Sequence, residues 1–214
     1  MKKKVLLLAV SCREGGLCPG GVDLDNPKNW IRIVADDGKG GSVQGCDIDF
    51  ADPLDIIEFN GRPMPCGRQQ ENWVIDNDSC VNKGKIKGKT DREVLDAVYR
   101  NYSYHGFWGN YKAYLNEDEF ESGSEPSESI MKVSNVRIYK YGSKAKIDFD
   151  WSGAKYRIKG ISMTDPDFYD QIDGKDIEFE NAYIVISIPK ECDWFNPNVE
   201  EYQAYKFVSR VYEI

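Results

Sequence analysis

The chain has 214 residues and a formal net charge of −8, with 41% hydrophobic, 30% charged and 13% aromatic residues. That length accommodates one large domain or two small ones, and 13 Tyr with 5 Trp favour a β-rich protein. The acidic balance argues against a protein whose main task is tight, unspecific binding of duplex nucleic acid, although a local basic groove on an acidic body stays compatible with it. No run is long enough to cross a bilayer. The apolar run behind Lys2, Lys3 and Lys4 is too short for an export-signal core. A cytoplasmic protein with no membrane partner is expected.

Residues 5–10 form a continuous apolar run, the pattern of a strand buried on both faces. A glycine-rich stretch with Gly15, Gly16, Gly20 and Gly21 follows and reads as a loop. From Trp30 to Val34 the residues alternate, so Trp30, Arg32 and Val34 share one face of a second strand, and Ile31 and Ile33 the other. Residues 36–45 read as a turn. Residues 53–59 and 71–76 read as two more strands, with a Pro/Gly loop between them at 60–67. The basic stretch 83–89 reads as an exposed loop. Thr90 followed by Glu93 is a capping box opening one helix, with Val94, Leu95 and Val98 as its apolar face, up to about Tyr102.

Residues 104–114 are aromatic, and 116–128 are acidic with Ser, Gly and Pro, the composition of a linker. Beyond it, residues 130–141, 145–151 and 154–163 read as strands joined by tight turns. Ile147, Phe149 and Trp151 alternate there with Lys146, Asp148 and Asp150. Thr164, Asp165 and Pro166 mark a helix start. Residues 182–188 and 204–212 read as the last strands. No residue-level repeat is visible. Each half nevertheless has the content of a five-stranded Greek-key barrel, the OB-fold. The expected organisation is mainly β: two OB-like barrels in tandem, 1–88 and 129–214, joined by a helical, aromatic and acidic segment at 89–128.

The chain resembles the dual OB-containing domain family, a prokaryotic group associated with conflict (defence) systems. The matching pieces are Ser11 and Arg13 after the first strand, Cys18 with Gly20, Asn29-Trp30-Ile31-Arg32, and Asp52-Pro53-Leu54-Asp55. They continue with Gln70-Glu71-Asn72-Trp73, Thr164-Asp165-Pro166 and Tyr205-Lys206-Phe207-Val208. The resemblance implies binding of nucleic acid or nucleotides by paired barrels, without enzymatic activity.

Ser11, Arg13, Asn29, Trp30 and Arg32 form the leading candidate site. The arginines would meet phosphate or a base edge and Trp30 would stack; the alternative has Trp30 in the core. Asn72 would read a base amide edge, or satisfy a bend. Arg157 shares a strand face with Lys159, as a basic stripe or a solvated face. Asp165 is both a candidate ligand contact and a helix cap. His105, the one histidine, reads as a packing residue. None of the six cysteines forms a CxxC pair, and there is no P-loop, GxGxxG fingerprint or HExxH. No metal or cofactor is expected. The expected function is a non-enzymatic module for single-stranded nucleic acid or a nucleotide. The alternatives are a protein-interaction or sensor subunit, docking through residues 104–114 and the acidic run, and a thiol enzyme using Cys12 or Cys18.

Overall fold

The computed structural model describes residues 1–13, 16–26, 28–43, 51–76, 78–101, 107–169, 172 and 174–214, with backbone only at 12, 13 and 169. The chain divides into two compact units, Met1–Ser103 and Tyr104–Ile214.

The first unit contains β1 (Lys2–Arg13), β2 (Gly16–Asp23), β3 (Trp30–Ile33), β4 (Asp55–Pro63), β5 (Asn72–Ile75), β6 (Val81–Lys85) and helix α1 (Asp91–Asn101). Five strands close a circuit: β1 pairs with β2, β2 with β3, β3 with β5, β5 with β4, and β4 with β1. Only the β3–β5 pairing is parallel, with Arg32 opposite Asn72 and Ile33 opposite Trp73. Strand β6 extends the sheet beyond β4. Val5, Leu7, Ile31, Ile33, Ala51, Ile57 and Phe59 fill the interior. Leu6 and Leu8 on the opposite face of β1 are buried as well, which accounts for the unbroken apolar run. Helix α1 starts with the expected reciprocal cap: Thr90 N donates to Glu93 Oε2 at 2.8 Å and Glu93 N to Thr90 Oγ1 at 3.3 Å.

The second unit contains β7 (Tyr114–Asn116), α2 (Glu117–Ser122), β8 (Glu128–Tyr141), β9 (Lys144–Asp150), β10 (Ile158–Met163), α3 (Pro166–Tyr169), β11 (Ile177–Ser187), β12 (Trp194–Asn196), β13 (Glu201–Tyr205) and β14 (Phe207–Glu213). Here β8, β9, β10, β14 and β11 form a closed barrel. Its single parallel pairing joins β10 to β14. Counting strands within each ring, both units trace the order 1-2-3-5-4 and close 3 onto 5 in parallel, so one chain path is used twice. The architecture is mainly β with two OB-like barrels. Inward residues of β8, β9 and β11, among them Met131, Ile138, Ile147, Phe149, Ile184 and Ile186, make one core with Phe107, Trp108, Leu115 and Phe120.

Several local expectations are corrected. The glycine-rich stretch is strand β2, because Gly21 lies where a Cβ would be 2.1 Å from the Leu6 carbonyl oxygen, so glycine lets β2 close onto β1. Residues 60–63, expected in a loop, continue β4, and part of the basic 83–89 loop is β6. Within the acidic stretch, 117–122 form α2, where Asn116 and Glu119 complete a capping box and Phe120 is buried. The last expected strand is two, β13 and β14, broken at Lys206.

Candidate functional site

The expected cluster in the first barrel sits mostly inside the protein. Ile31 and Ile33 face the barrel core, so Trp30 and Arg32 do share the opposite face. That face is covered: Trp30 is 3% exposed and Arg32 9%. Trp30 therefore packs and offers no ring to a ligand, which corrects its assignment as a stacking platform. Ser11 is buried, with Oγ donating to the Cys18 carbonyl at 3.5 Å. Asn72 is fully buried beside Arg32, and its Nδ2 donates to Gln69 Oε1 at 3.5 Å. Asn29 is exposed, its backbone closing a turn with Asn26 and pairing with Asp23. The Arg13 and Cys12 side chains and His105 lie outside the described residues. Cys18, expected beside a loop, stands within β2 opposite Ser11.

In the second barrel, Asp165 is fully buried, and its contacts are internal. Oδ1 accepts from Asp167 N at 3.1 Å and Arg210 Nη1 at 3.2 Å, and Oδ2 accepts from Val211 N at 2.9 Å. Burial raises its carboxyl while Arg210 pulls it down. Asp165 is thus a structural anchor tying α3 to β14, and its role as a ligand contact is corrected. Arg157 pairs with Asp150 at 3.3 Å and lines a cavity of about 340 Å³ with Arg137, Glu178, Glu180, Val136 and Phe179. Arg137 is bound by Asp176. Carboxylates match both guanidiniums, so this cavity has little net attraction for phosphate. Lys159 is exposed on the adjoining strand.

Aromatic surface appears instead on the connection between the fourth and fifth strands of the second barrel. That connection carries the β12–β13 hairpin, and β13 also pairs with β7. Trp194 and Gln203 are directly opposite, as are Tyr205 and Tyr114, so all four side chains belong to one sheet face. The Trp194 ring meets Tyr205 edge-on at 5.1 Å between centroids, and Tyr205 meets Tyr114 at 5.9 Å. Trp194 is 47% exposed, while Tyr114 and Tyr205 are half-buried. Tyr205 OH donates to Gln203 Oε1 at 3.2 Å, which also accepts from Asn196 Nδ2 at 3.2 Å, and this fixes the middle ring. Lys112 Nζ stands 5.5 Å from the Tyr114 centroid. On the reverse face, Leu115 and Ala204 enter the core and hold the sheet in place. Burial together with the carboxylates of Glu117, Glu121 and Asp193 pushes the nearby Cys192 thiol up to about 11, so it stays protonated and unreactive. This strip was missed in the sequence reading because the hairpin is short; the adjacent Trp194 and Phe195 were the available signal.

Directly after Tyr205, Lys206 turns inward and is fully buried. Its Nζ donates to the carbonyls of Phe107 and Asn110, at 2.8 and 2.9 Å, and to Asn110 Oδ1 at 2.9 Å. The Phe107 ring lies 3.9 Å away. Burial pushes the ammonium down to about 6, against the pull of Glu119. Phe107 and Trp108 are core residues, and Trp108 Nε1 donates to the Pro126 carbonyl at 2.9 Å. Phe107 and Trp108 of the aromatic segment therefore pack inside, whereas Tyr111 is 51% exposed and Tyr114 lies on the strip.

The family model for the dual OB-containing domain matches residues 3–211. The chain belongs to this family. No curated protein matches this dual OB chain. Solved structures with a similar chain path include the Ifi202 HINa domain in complex with 20-bp dsDNA, at 7% identity and a TM-score of 0.37, covering 100% of this chain and 97% of that one. The tetrameric p202 HIN2 gives 10% identity and a TM-score of 0.34, covering 97% and 91%. A murine DNA-binding protein bound with dsDNA gives 8% identity and a TM-score of 0.34, covering 99% and 95%. Likenesses this distant carry no argument about what the dual OB chain binds. Among its described residues there is no group of three or more His, Cys, Asp or Glu able to hold a metal, and no helix long and apolar enough to cross a membrane.

Proposed function

We propose that this protein is a non-enzymatic binding module for single-stranded nucleic acid or a nucleotide-like ligand, acting in a prokaryotic defence setting. The observation that supports it most is the Trp194–Tyr205–Tyr114 strip, aromatic surface held rigidly on the fourth-to-fifth-strand connection of an OB-like barrel. In this fold that connection is a usual place for oligonucleotides to lie, and an open aromatic face accepts any base by stacking. Single strands suit it because their bases are free to reach a ring. The acidic residues around the hairpin keep affinity modest. The defence setting rests on the family resemblance, and inspecting the gene neighbourhood tests it.

The experiment is a polarisation titration with labelled single-stranded DNA and RNA, at low and physiological salt, on the full chain and Trp194→Ala. One lost stacking contact weakens binding about 5- to 150-fold, from roughly 1–3 kcal/mol per base. Absence of binding by the full chain, or equal affinity in Trp194→Ala, overturns this reading.

A further inference from the structure

Two lysine-rich stretches lie some eighty positions apart: Lys2-Lys3-Lys4, and Lys83, Lys85, Lys87 and Lys89. The first barrel brings them together. Strand β4 pairs with β1 on one side and β6 on the other. Ile57 and Phe59 of β4 point into the core, so Glu58 points outward, directly across from Lys4 of β1. Lys2 Nζ reaches Glu58 at 3.1 Å and Lys83 Nζ reaches it at 3.6 Å. The side chains of Lys2 and Lys83 are 70% and 45% exposed. Lys3 has the other parity and turns to buried Asp23 at 2.7 Å. Three ammonium groups thus surround one carboxylate, a local excess of two positive charges on a chain whose net charge is −8. Farther along, Lys85 and Lys89 are matched one to one by Asp91 and Glu93.

Edge lysines commonly guard a sheet against pairing with another chain. That accounts for Lys83 on the outermost strand. It does not account for Lys2 and Lys4, which lie two strands in from that edge, across β4. We infer that the outer face of β1, β4 and β6, with Lys2, Lys4 and Lys83 around Glu58, is a contact surface for the phosphate backbone of single-stranded nucleic acid. The inference rests on the proposed function and adds the place where charge, as opposed to stacking, is supplied. Glu58 pairs with Lys2 and Lys83 and weakens the surface by cancelling one positive charge.

The test compares the full chain with the triple variant Lys2→Gln/Lys4→Gln/Lys83→Gln and with Glu58→Gln, by oligonucleotide polarisation between about 50 and 200 mM salt. Each lost lysine contact lowers the log–log salt slope by about 0.7. The triple variant is therefore expected to lose about 2 from the slope, and its deficit is about 15-fold larger at the low-salt end than at the high-salt end. Glu58→Gln is expected to tighten binding, a gain that misfolding does not produce. Trp194→Ala should weaken binding with its slope unchanged. Normal binding by the triple variant, with the parent slope, overturns the lysine surface and leaves the proposed function standing. No binding by the full chain at any salt removes both. Capture of phosphatidylserine vesicles in place of oligonucleotide, lost in the triple variant, also overturns the assignment.

Discussion

Lys206→Met removes a buried amine while keeping the volume of its side chain. With its proton affinity down to about 6, Lys206 is a neutral amine at pH 8, with two N–H groups facing three acceptors, the Phe107 and Asn110 carbonyls and Asn110 Oδ1. Methionine takes both donors away and leaves dry acceptors, each costing about 1–3 kcal/mol. Retained packing against Phe107 offsets part of this, so a loss of about 2–4 kcal/mol is expected above about pH 10.5. At pH 8 deprotonating the lysine on folding costs the parent about 3.4 kcal/mol, which brings the two proteins close to equal stability. Lowering the pH adds a second signature. The folded-state pKa is depressed below the ordinary 10.5, so the contribution of this group is full above 10.5 and is lost as pH falls toward 6. The parent's stability relative to the variant should fall by up to about 1.4 kcal/mol per unit as pH drops from about 10 toward 6. Urea titrations followed by near-UV circular dichroism at several pH values measure both quantities, with an unchanged m-value confirming a common unfolding reaction. A difference that stays flat with pH refutes the reasoning. Lys206 would then keep its proton in the fold and donate to all three acceptors as an ammonium.

Two further perturbations address the frame. Gly21→Ala places a methyl group on the Leu6 carbonyl oxygen, and thermal melts should show a loss of at least about 1–3 kcal/mol in the first unit. Asp165→Asn leaves Arg210 with Asp167 as its carboxylate partner, so the loss should sit near or below the low end of about 3–5 kcal/mol, without change in oligonucleotide affinity.

The barrels were legible where side chains alternate or run unbroken. Ile147 and Phe149 point inward as their spacing dictates, and the apolar run of β1 is buried on both faces. Strand β2 was hidden because glycine and proline resemble a loop in composition, whereas Gly21 serves close approach between strands. The face shared by Trp30 and Arg32 was also legible, but its exposure was not. Periodicity assigns a side chain to one side of a strand and says nothing about what covers that side. The exposed ring of Trp194 beside half-buried Tyr205 escaped for the converse reason: their strands are three and five residues long, too short for a pattern to stand out.

The repeated strand order gives the two halves different histories during synthesis. Everything the first ring needs has been made once Ile75 emerges, and its closing seam joins β3 to β5. The second ring must wait for β14, which pairs with both β10 and β11. A nascent chain can therefore carry a finished amino-terminal barrel while β10 and β11 still have an unfilled neighbour position. During that interval their apolar side chains depend on the ribosome or a chaperone for cover.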